Sequence, residues 1–155
     1  MKEKIAPTHC SFIPGRGTTD NIVVVQEAIH SFANKTGKVG HMILKIDLEK
    51  AYDRISWDFL RWVLMDIGMP SPLIQLIMFC ITSTEMNVLW NGELTSDFKP
   101  TRGLRQGDPL SPSFFVLCLQ KLEDMIDEAV NLGVWKPISL SQGGPVPYLL
   151  SLLMT

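Results

Sequence analysis

The sequence predicts a single α+β domain, and three observations support this fold class. The 155 residues are enough for one domain with a hydrophobic core and too few for two. Hydrophobic residues make up 46% and charged residues 19% of the chain, which is typical of a globular fold and not of a disordered chain. Helical periodicities and one hairpin pattern occur without the regular strand–helix alternation of a parallel sheet.

The first half of the chain is predicted to contain three helices and one strand. Asp20 is a good N-cap for a helix over residues 21–34. Residues 42–47 form a short apolar run that ends in an acid, a pattern typical of a buried strand. Residues 48–55 and 57–67 then show helical periodicity.

Two further helices are predicted over residues 70–83 and 112–132. The apolar face of the first consists of Leu73, Leu76, Ile77 and Cys80. The apolar stripe of the second consists of Phe115, Leu119, Leu122 and Ile126. Both faces are expected to pack against the core.

A β-hairpin is predicted between these two helices. Alternating apolar residues in 85–90 and 93–99 flank Asn91-Gly92, a dipeptide that tolerates positive φ at both turn positions. Tryptophans are expected to fill the core, with the one beside the turn as a candidate for stacking on a base. The four are Trp57, Trp62, Trp90 (beside the turn) and Trp135.

Net charge and cysteine spacing narrow the class of protein. The formal net charge is −2, whereas proteins that bind nucleic acid through its phosphates usually carry net positive charge, so such binding has to be argued from local motifs. Cys10, Cys80 and Cys118 show no C-x-x-C spacing and indicate a reducing compartment. The longest apolar stretch, residues 73–81, is far shorter than the roughly 20 residues that span a bilayer. A soluble intracellular chain with no membrane partner is expected.

Asp47, at the end of the predicted strand, is a candidate metal ligand. The segment over residues 45–53 is Lys-Ile-Asp-Leu-Glu-Lys-Ala-Tyr-Asp. A buried acid needs a cation or an ion-pair partner, and two-metal phosphoryl transfer uses carboxylates that hold two cations about 3.5–4 Å apart. The alternative is that Asp47 caps the helix that follows, and the pattern alone favours this simpler interpretation.

Two segments with closely spaced glycines contain further candidate binding residues. In residues 103–112, glycine lets the backbone approach a ligand, while Arg105 and Gln106 offer donors to phosphate or sugar oxygens. A plain turn before a helix is the alternative. In residues 12–22, Arg16 is a candidate phosphate contact, and a solvated surface arginine is the commoner case.

In this order and spacing, the three segments resemble the reverse transcriptase of plant LINE-type, non-LTR retrotransposons. F-I-P-G-R-G-T-T-D-N-I resembles the fingers segment, K-I-D-L-E-K-A-Y-D-R-I-S-W palm motif A, and G-L-R-Q-G-D-P-L-S-P palm motif B. The similarity extends over about residues 5–144. It implies a partial right-hand polymerase domain over residues 1–146, with fingers over about residues 1–40 and a palm over about residues 41–146 that contains the motif A strand and the motif B helix.

The resemblance also implies a role for each matching residue. Asp47 matches the first catalytic, metal-binding aspartate, and the Leu48 carbonyl a further ligand of a centre that holds two Mg²⁺ ions in the intact family. Tyr52 matches the residue that packs under the incoming sugar and excludes a 2′-hydroxyl. The remaining nucleotide-side positions are Gln106, Gly107, Arg105 and Arg16.

The family's motif C, an F-A-D-D hairpin, is expected after the Gly-Gly-Pro stretch, but neither it nor a thumb is found. Residues 147–155 are instead predicted to be an out-of-frame tail. Ser-Leu-Leu-Met-Thr can be encoded by TCT TTG CTG ATG ACN, and from the third base these letters read Phe-Ala-Asp-Asp. The nucleotides of the gene test this hypothesis.

The expected function is therefore a fragment of an RNA-directed DNA polymerase that is inactive alone. The intact family uses an RNA template, a DNA primer and dNTPs with Mg²⁺. One alternative is a non-catalytic nucleic-acid binder that uses Arg16, Arg102 and Arg105, against which the charge of −2 counts. The other is a relic open reading frame without a selected function. Nuclear residence is expected if the element is active.

Overall fold

A computed structural model describes Gly15 and residues 18–34, 42–44, 46 and 48–137. The helices and strands within these residues are α1 (Thr18–Asn34), α2 (Ala51–Arg54), α3 (Trp57–Asp66), α4 (Ser71–Thr82), β1 (Leu89–Trp90), β2 (Glu93–Leu94) and α5 (Ser111–Asn131). This mixture agrees with the predicted α+β class. None of the described helices is long and apolar enough to cross a bilayer.

The chain divides into two compact units. One unit is Leu48–Cys118, and the other combines Met1–Asp47 with Leu119–Thr155. The predicted tail over residues 147–155 lies outside the described residues, and the predicted boundary between fingers and palm near residue 40 stays a prediction.

Helix α1 begins earlier than its predicted N-cap. Its first residue is Thr18 and its last is Asn34, so the predicted C-terminal end is confirmed. Asp20 lies inside the first turn, and its assignment as N-cap is wrong. An acid is favourable throughout the first turn of a helix, where the macrodipole is positive, so its presence indicates a helix start without indicating the position within it.

The strand predicted over residues 42–47 is wrong for the part of this segment that the structure describes. Residues 42–44 and 46 belong to no strand, and Met42 is 78% exposed. A strand needs a neighbour to satisfy its backbone N–H and C=O groups. Within the described ranges, the two strands β1 and β2 pair only with each other. An apolar run alone does not supply that partner.

Helix α3 contributes the most deeply buried side chains of the unit Leu48–Cys118. Leu60, Val63 and Leu64 are fully buried, and their spacing puts them on one face of the helix. The Ser56 side chain caps the helix by accepting a hydrogen bond from the backbone N–H of Phe59. The helix predicted over residues 57–67 is confirmed.

Helix α4 packs against α3 through a face that its sequence pattern did not indicate. Ile74 and Met78 are each only 2% exposed, whereas Leu76 is 59% exposed. The other members of the predicted face are exposed or half-buried: Leu73, Ile77 and Cys80. That prediction is wrong. Helix α4 is apolar around most of its circumference. The helix it packs against, rather than the periodicity of its sequence, therefore determines which side is buried.

The predicted hairpin is confirmed. Strands β1 and β2 are antiparallel, with Leu89 opposite Leu94. Asn91 has a φ of 49° and Gly92 a φ of 86°, as a type I′ turn requires. The positive φ at both positions explains why this dipeptide is found between the strands.

The prediction that the tryptophans fill the core is wrong for Trp62 and Trp135, and Trp90, the candidate for stacking on a base, is a separate case. Trp90 at the hairpin turn is 70% exposed. Trp62 and Trp135 are also exposed, and Trp57 is half-buried. A ring N–H favours positions where it can reach water or an acceptor, so a tryptophan is a weaker indicator of the core than a leucine.

Helix α5 begins and ends within one residue of the predicted bounds. Its predicted apolar stripe is buried or half-buried at every position: Phe115, Leu119, Leu122 and Ile126. Residues 114–118 are all buried, so the first half of the helix is enclosed more completely than a stripe would predict. Burial raises the pKa of the Cys118 thiol to about 12, which leaves this cysteine protonated and unreactive near neutral pH.

Candidate active site

The backbone that follows Leu48 makes a single helical turn. Lys50 has a φ of 51° in the left-handed region, and α2 extends only over Ala51–Arg54 before Ile55 returns to an extended conformation. The helix predicted over residues 48–55 is therefore wrong in length. A right-handed helix cannot continue through a left-handed residue, so Lys50 limits the start of α2, and the extended Ile55 limits its end.

Tyr52 lies in α2 and is half-buried. Its ring stacks on that of Phe115 in α5, with ring centroids 4.8 Å apart and an interplanar angle of 17°. Burial raises the pKa of the Tyr52 hydroxyl above its ordinary value of 10.0. The phenol therefore stays protonated through neutral pH, and its ring has a defined position.

Two backbone hydrogen bonds join the segment around Tyr52 to the loop that precedes α5. The N–H of Gly103 donates to the carbonyl oxygen of Ile55 at 2.8 Å, and the N–H of Leu104 donates to that of Tyr52 at 2.9 Å. The indole N–H of Trp57 also donates to the Gly103 carbonyl oxygen at 2.8 Å. The two segments that resemble motifs A and B are thus in direct contact.

The contact is close enough to require glycine at position 103. A Cβ added to Gly103 would lie 3.0 Å from both Cα and the carbonyl oxygen of Asp53. Its φ of +93° is also one that residues with a side chain rarely adopt. Glycine therefore serves close packing between two backbones here, in addition to the close approach to a ligand that the sequence suggested.

The loop beyond this contact presents the predicted nucleotide-side residues to solvent. Arg105, Gln106 and Gly107 are all exposed, and Gly107 has a φ of 89°. Asp108 then accepts a hydrogen bond from the backbone N–H of Leu110 at 2.8 Å, which shapes the turn immediately before α5. Exposed donors on a loop held at its base are available to a ligand.

Some of the predicted site residues lie beyond what the structure tests. Asp47 and Arg16 are outside the described residues, and Leu48 is exposed. The described part of the chain has no group of three His, Cys, Asp or Glu side chains that could bind a metal ion together. The two-metal centre expected around Asp47 therefore stays a prediction.

Two residues of this region carry contacts that sequence reasoning missed. The sequence predicts a core position for Trp57 and a close approach of the backbone to a ligand for Gly103, without linking the two residues. A usable signal was the half-polar character of tryptophan, because a partly buried indole N–H normally has an acceptor. Which acceptor it finds is a matter of tertiary structure, since the two residues are 46 positions apart.

The chain is similar in sequence to known proteins over most of its length. Residues 1–138 match the family model described as reverse transcriptase (RNA-dependent DNA polymerase). The chain is 31% identical over 120 residues to the Transposon TX1 uncharacterized 149 kDa protein of Xenopus laevis, which covers 77% of this chain and 9% of that protein.

Two further relatives are more distant or match over a shorter stretch. The chain is 28% identical over 112 residues to the retrovirus-related Pol polyprotein from type-1 retrotransposable element R2 of Popillia japonica, covering 72% of this chain and 18% of that protein. It is 42% identical over 55 residues to an uncharacterized mitochondrial protein of Arabidopsis thaliana, covering 36% of this chain and 45% of that protein. The chain thus spans less than a fifth of either retrotransposon protein.

Proposed function

Because the chain belongs to the reverse transcriptase (RNA-dependent DNA polymerase) family, we propose that it forms the nucleotide side of a LINE-type polymerase palm of plant origin. Its substrates are then a dNTP, a DNA primer and an RNA template. The observation that carries this proposal is the contact between the two motif segments, in which Leu104 donates to the Tyr52 carbonyl at 2.9 Å. This contact places Tyr52 beside a loop that carries exposed hydrogen-bond donors.

In this proposal Tyr52 forms the floor under the incoming sugar. Its ring rests on Phe115, which is 2% exposed and gives it a firm support. A ring held in this way excludes a 2′-hydroxyl by sterics. Gln106 and Gly107 lie on the exposed loop that follows the contact and meet the nucleotide, with Arg105 near a phosphate.

The proposed metal ligands are the Asp47 carboxylate and the Leu48 carbonyl oxygen, with Arg16 near template or phosphate. Both ligands are hard oxygen donors of the kind that Mg²⁺ prefers. When bound, two such ions would activate the primer 3′-hydroxyl and neutralise charge on the leaving pyrophosphate. Leu48 is exposed.

The proposal is tested by how well the chain distinguishes dATP from ATP, which differ only at the 2′ position. With Mg²⁺, we expect a dissociation constant for dATP on the order of 1 mM and binding of ATP about tenfold weaker, a difference of about 1.4 kcal/mol. Tyr52→Val should bring the two constants within about twofold, because the blocking ring is lost. Titrations followed by NMR measure all four values.

Tyr52→Phe is the matched control for this prediction. It keeps the ring and its stacking on Phe115 and removes only the hydroxyl, so the preference for dATP should remain. Equal binding of dATP and ATP by the unsubstituted chain would contradict the role of Tyr52, and no binding of either would contradict the proposed function.

We further propose that these 155 residues alone do not support DNA synthesis. The sequence has no carboxylate after Glu128, so it does not contain the aspartate pair of motif C. One carboxylate cannot hold two divalent cations against water. In a primer-extension assay with Mg²⁺ or Mn²⁺ we expect no incorporation, and template-dependent extension would overturn this expectation.

A further inference from the structure

The loop that precedes α5 is held by one side chain in addition to its backbone hydrogen bonds. The peptide group that joins Gly103 to Leu104 is held from both sides, since the Leu104 N–H donates to the Tyr52 carbonyl oxygen at 2.9 Å and the Gly103 carbonyl oxygen accepts from the Trp57 indole N–H at 2.8 Å. We propose that Trp57 is a positioning residue that keeps this loop in register with Tyr52 for nucleotide binding. The inference rests on the proposed function.

The register matters because the next residues carry the nucleotide-side groups. Leu104 is bonded to the Tyr52 carbonyl, and Gln106 follows two positions later. If the peptide group between Gly103 and Leu104 rotates, the Leu104 N–H turns away from Tyr52. Gln106 and Tyr52 are then no longer placed to contact the same nucleotide. The Trp57 hydrogen bond opposes that rotation by fixing the orientation of the Gly103 carbonyl.

Trp57 can fix the orientation of the Gly103 carbonyl because it belongs to a well-packed helix. It is the first residue of α3, and the same helix buries Leu60, Val63 and Leu64 completely. Helix α3 also packs against α4. A group on a rigid helix holds a loop more precisely than a group on another loop. Trp57 acts through Gly103 and does not itself touch the nucleotide.

The backbone hydrogen bonds of this contact do not depend on side chains and can form with most residue types. The indole hydrogen bond requires tryptophan at position 57. Trp57→Phe removes the N–H donor and keeps an aromatic ring. The Gly103 carbonyl then loses a partner in a partly buried setting, a change that typically lowers the fraction of molecules with the loop bonded to Tyr52 by a factor of about five to ten.

The test compares Trp57→Phe with Trp62→Phe in the 155-residue chain. Both substitutions remove an indole from α3, but Trp62 is 50% exposed, and the indole that donates to the Gly103 carbonyl is that of Trp57. With Mg²⁺ present and circular dichroism confirming folded protein, we expect Trp57→Phe to weaken dATP binding about fivefold. Amide hydrogen exchange at Leu104 should accelerate by a similar factor. Trp62→Phe should change neither measurement.

A purely structural role for Trp57 would lower the denaturation midpoint without changing dATP binding by the protein that remains folded. Binding that Trp57→Phe leaves within about twofold, or that Trp62→Phe weakens equally, would therefore overturn the inference while leaving the proposed function intact. A lack of dATP binding by the unsubstituted chain would overturn the proposed function, and this inference with it.

A second measurement requires no substitution and applies if Trp57→Phe does not fold. In the unsubstituted chain, saturating dATP should slow hydrogen exchange of the Trp57 indole N–H about fivefold, because the bound nucleotide favours the conformation in which the loop is bonded to Tyr52 and Trp57. The Trp62 indole serves as the internal reference. Exchange of the Trp57 indole that does not respond to dATP would overturn the inference.

Discussion

Replacing Gly103 with alanine is expected to lower the free energy of unfolding by about 3 kcal/mol. The new Cβ would lie 3.0 Å from the Cα and the carbonyl oxygen of Asp53, and 3.2 Å from its carbonyl carbon. These are backbone atoms, which cannot move aside as the end of a flexible side chain can. The φ of +93° adds conformational strain to the steric clash.

Gly107→Ala separates the clash from the strain. Gly107 has a similar φ of +89°, but no atom lies within 4 Å of its added Cβ, so only the conformational term of about 1–2 kcal/mol applies. Urea titrations of both variants give the comparison. Equal losses at the two positions would mean that the contact between Gly103 and Asp53 does not contribute to stability.

Replacing Ile74 with alanine is expected to cost about 2–5 kcal/mol, the range for deletion of a large aliphatic side chain from a packed core. Ile74 is 2% exposed on the side of α4 that packs against α3. The loss combines the transfer of apolar surface with the cavity left behind. Thermal or urea unfolding of Ile74→Ala measures it.

Leu76→Ala is the matched control on the same helix. Leu76 is 59% exposed, so its removal is expected to change stability by no more than about 0.5 kcal/mol. The two variants also distinguish the observed orientation of α4 from the one predicted by its sequence, in which Leu76 is buried. A larger loss for Leu76→Ala than for Ile74→Ala would support the predicted orientation instead.

Local signals predicted those features whose stabilisation is itself local. The Asn91-Gly92 turn was correct because its φ values of 49° and 86° suit few other dipeptides. The limits of α5 were correct within one residue because a helix start and end depend on nearby residues. The assignment of Asp20 as N-cap failed by three positions, since acids are favourable anywhere in the first turn.

The face of α4 and the strand over residues 42–47 were predicted wrongly for a shared reason. Both segments are strongly apolar, so the pattern indicates burial without indicating the partner. For α4 the partner is α3, which selects Ile74 and Met78. Residues 42–44 and 46 pair with no strand in the part of the chain that the structure describes.

By itself the sequence indicated the family and the candidate nucleotide-side residues, because motif order and spacing are properties of the chain. Only the tertiary structure decided how Tyr52 meets the loop of Gln106 and Gly107, through the hydrogen bonds of Gly103 and Leu104. Backbone groups carry those bonds, and backbone groups are the same in every residue. The Trp57 indole reaches Gly103 across 46 positions, a distance over which residue type alone cannot predict a partner.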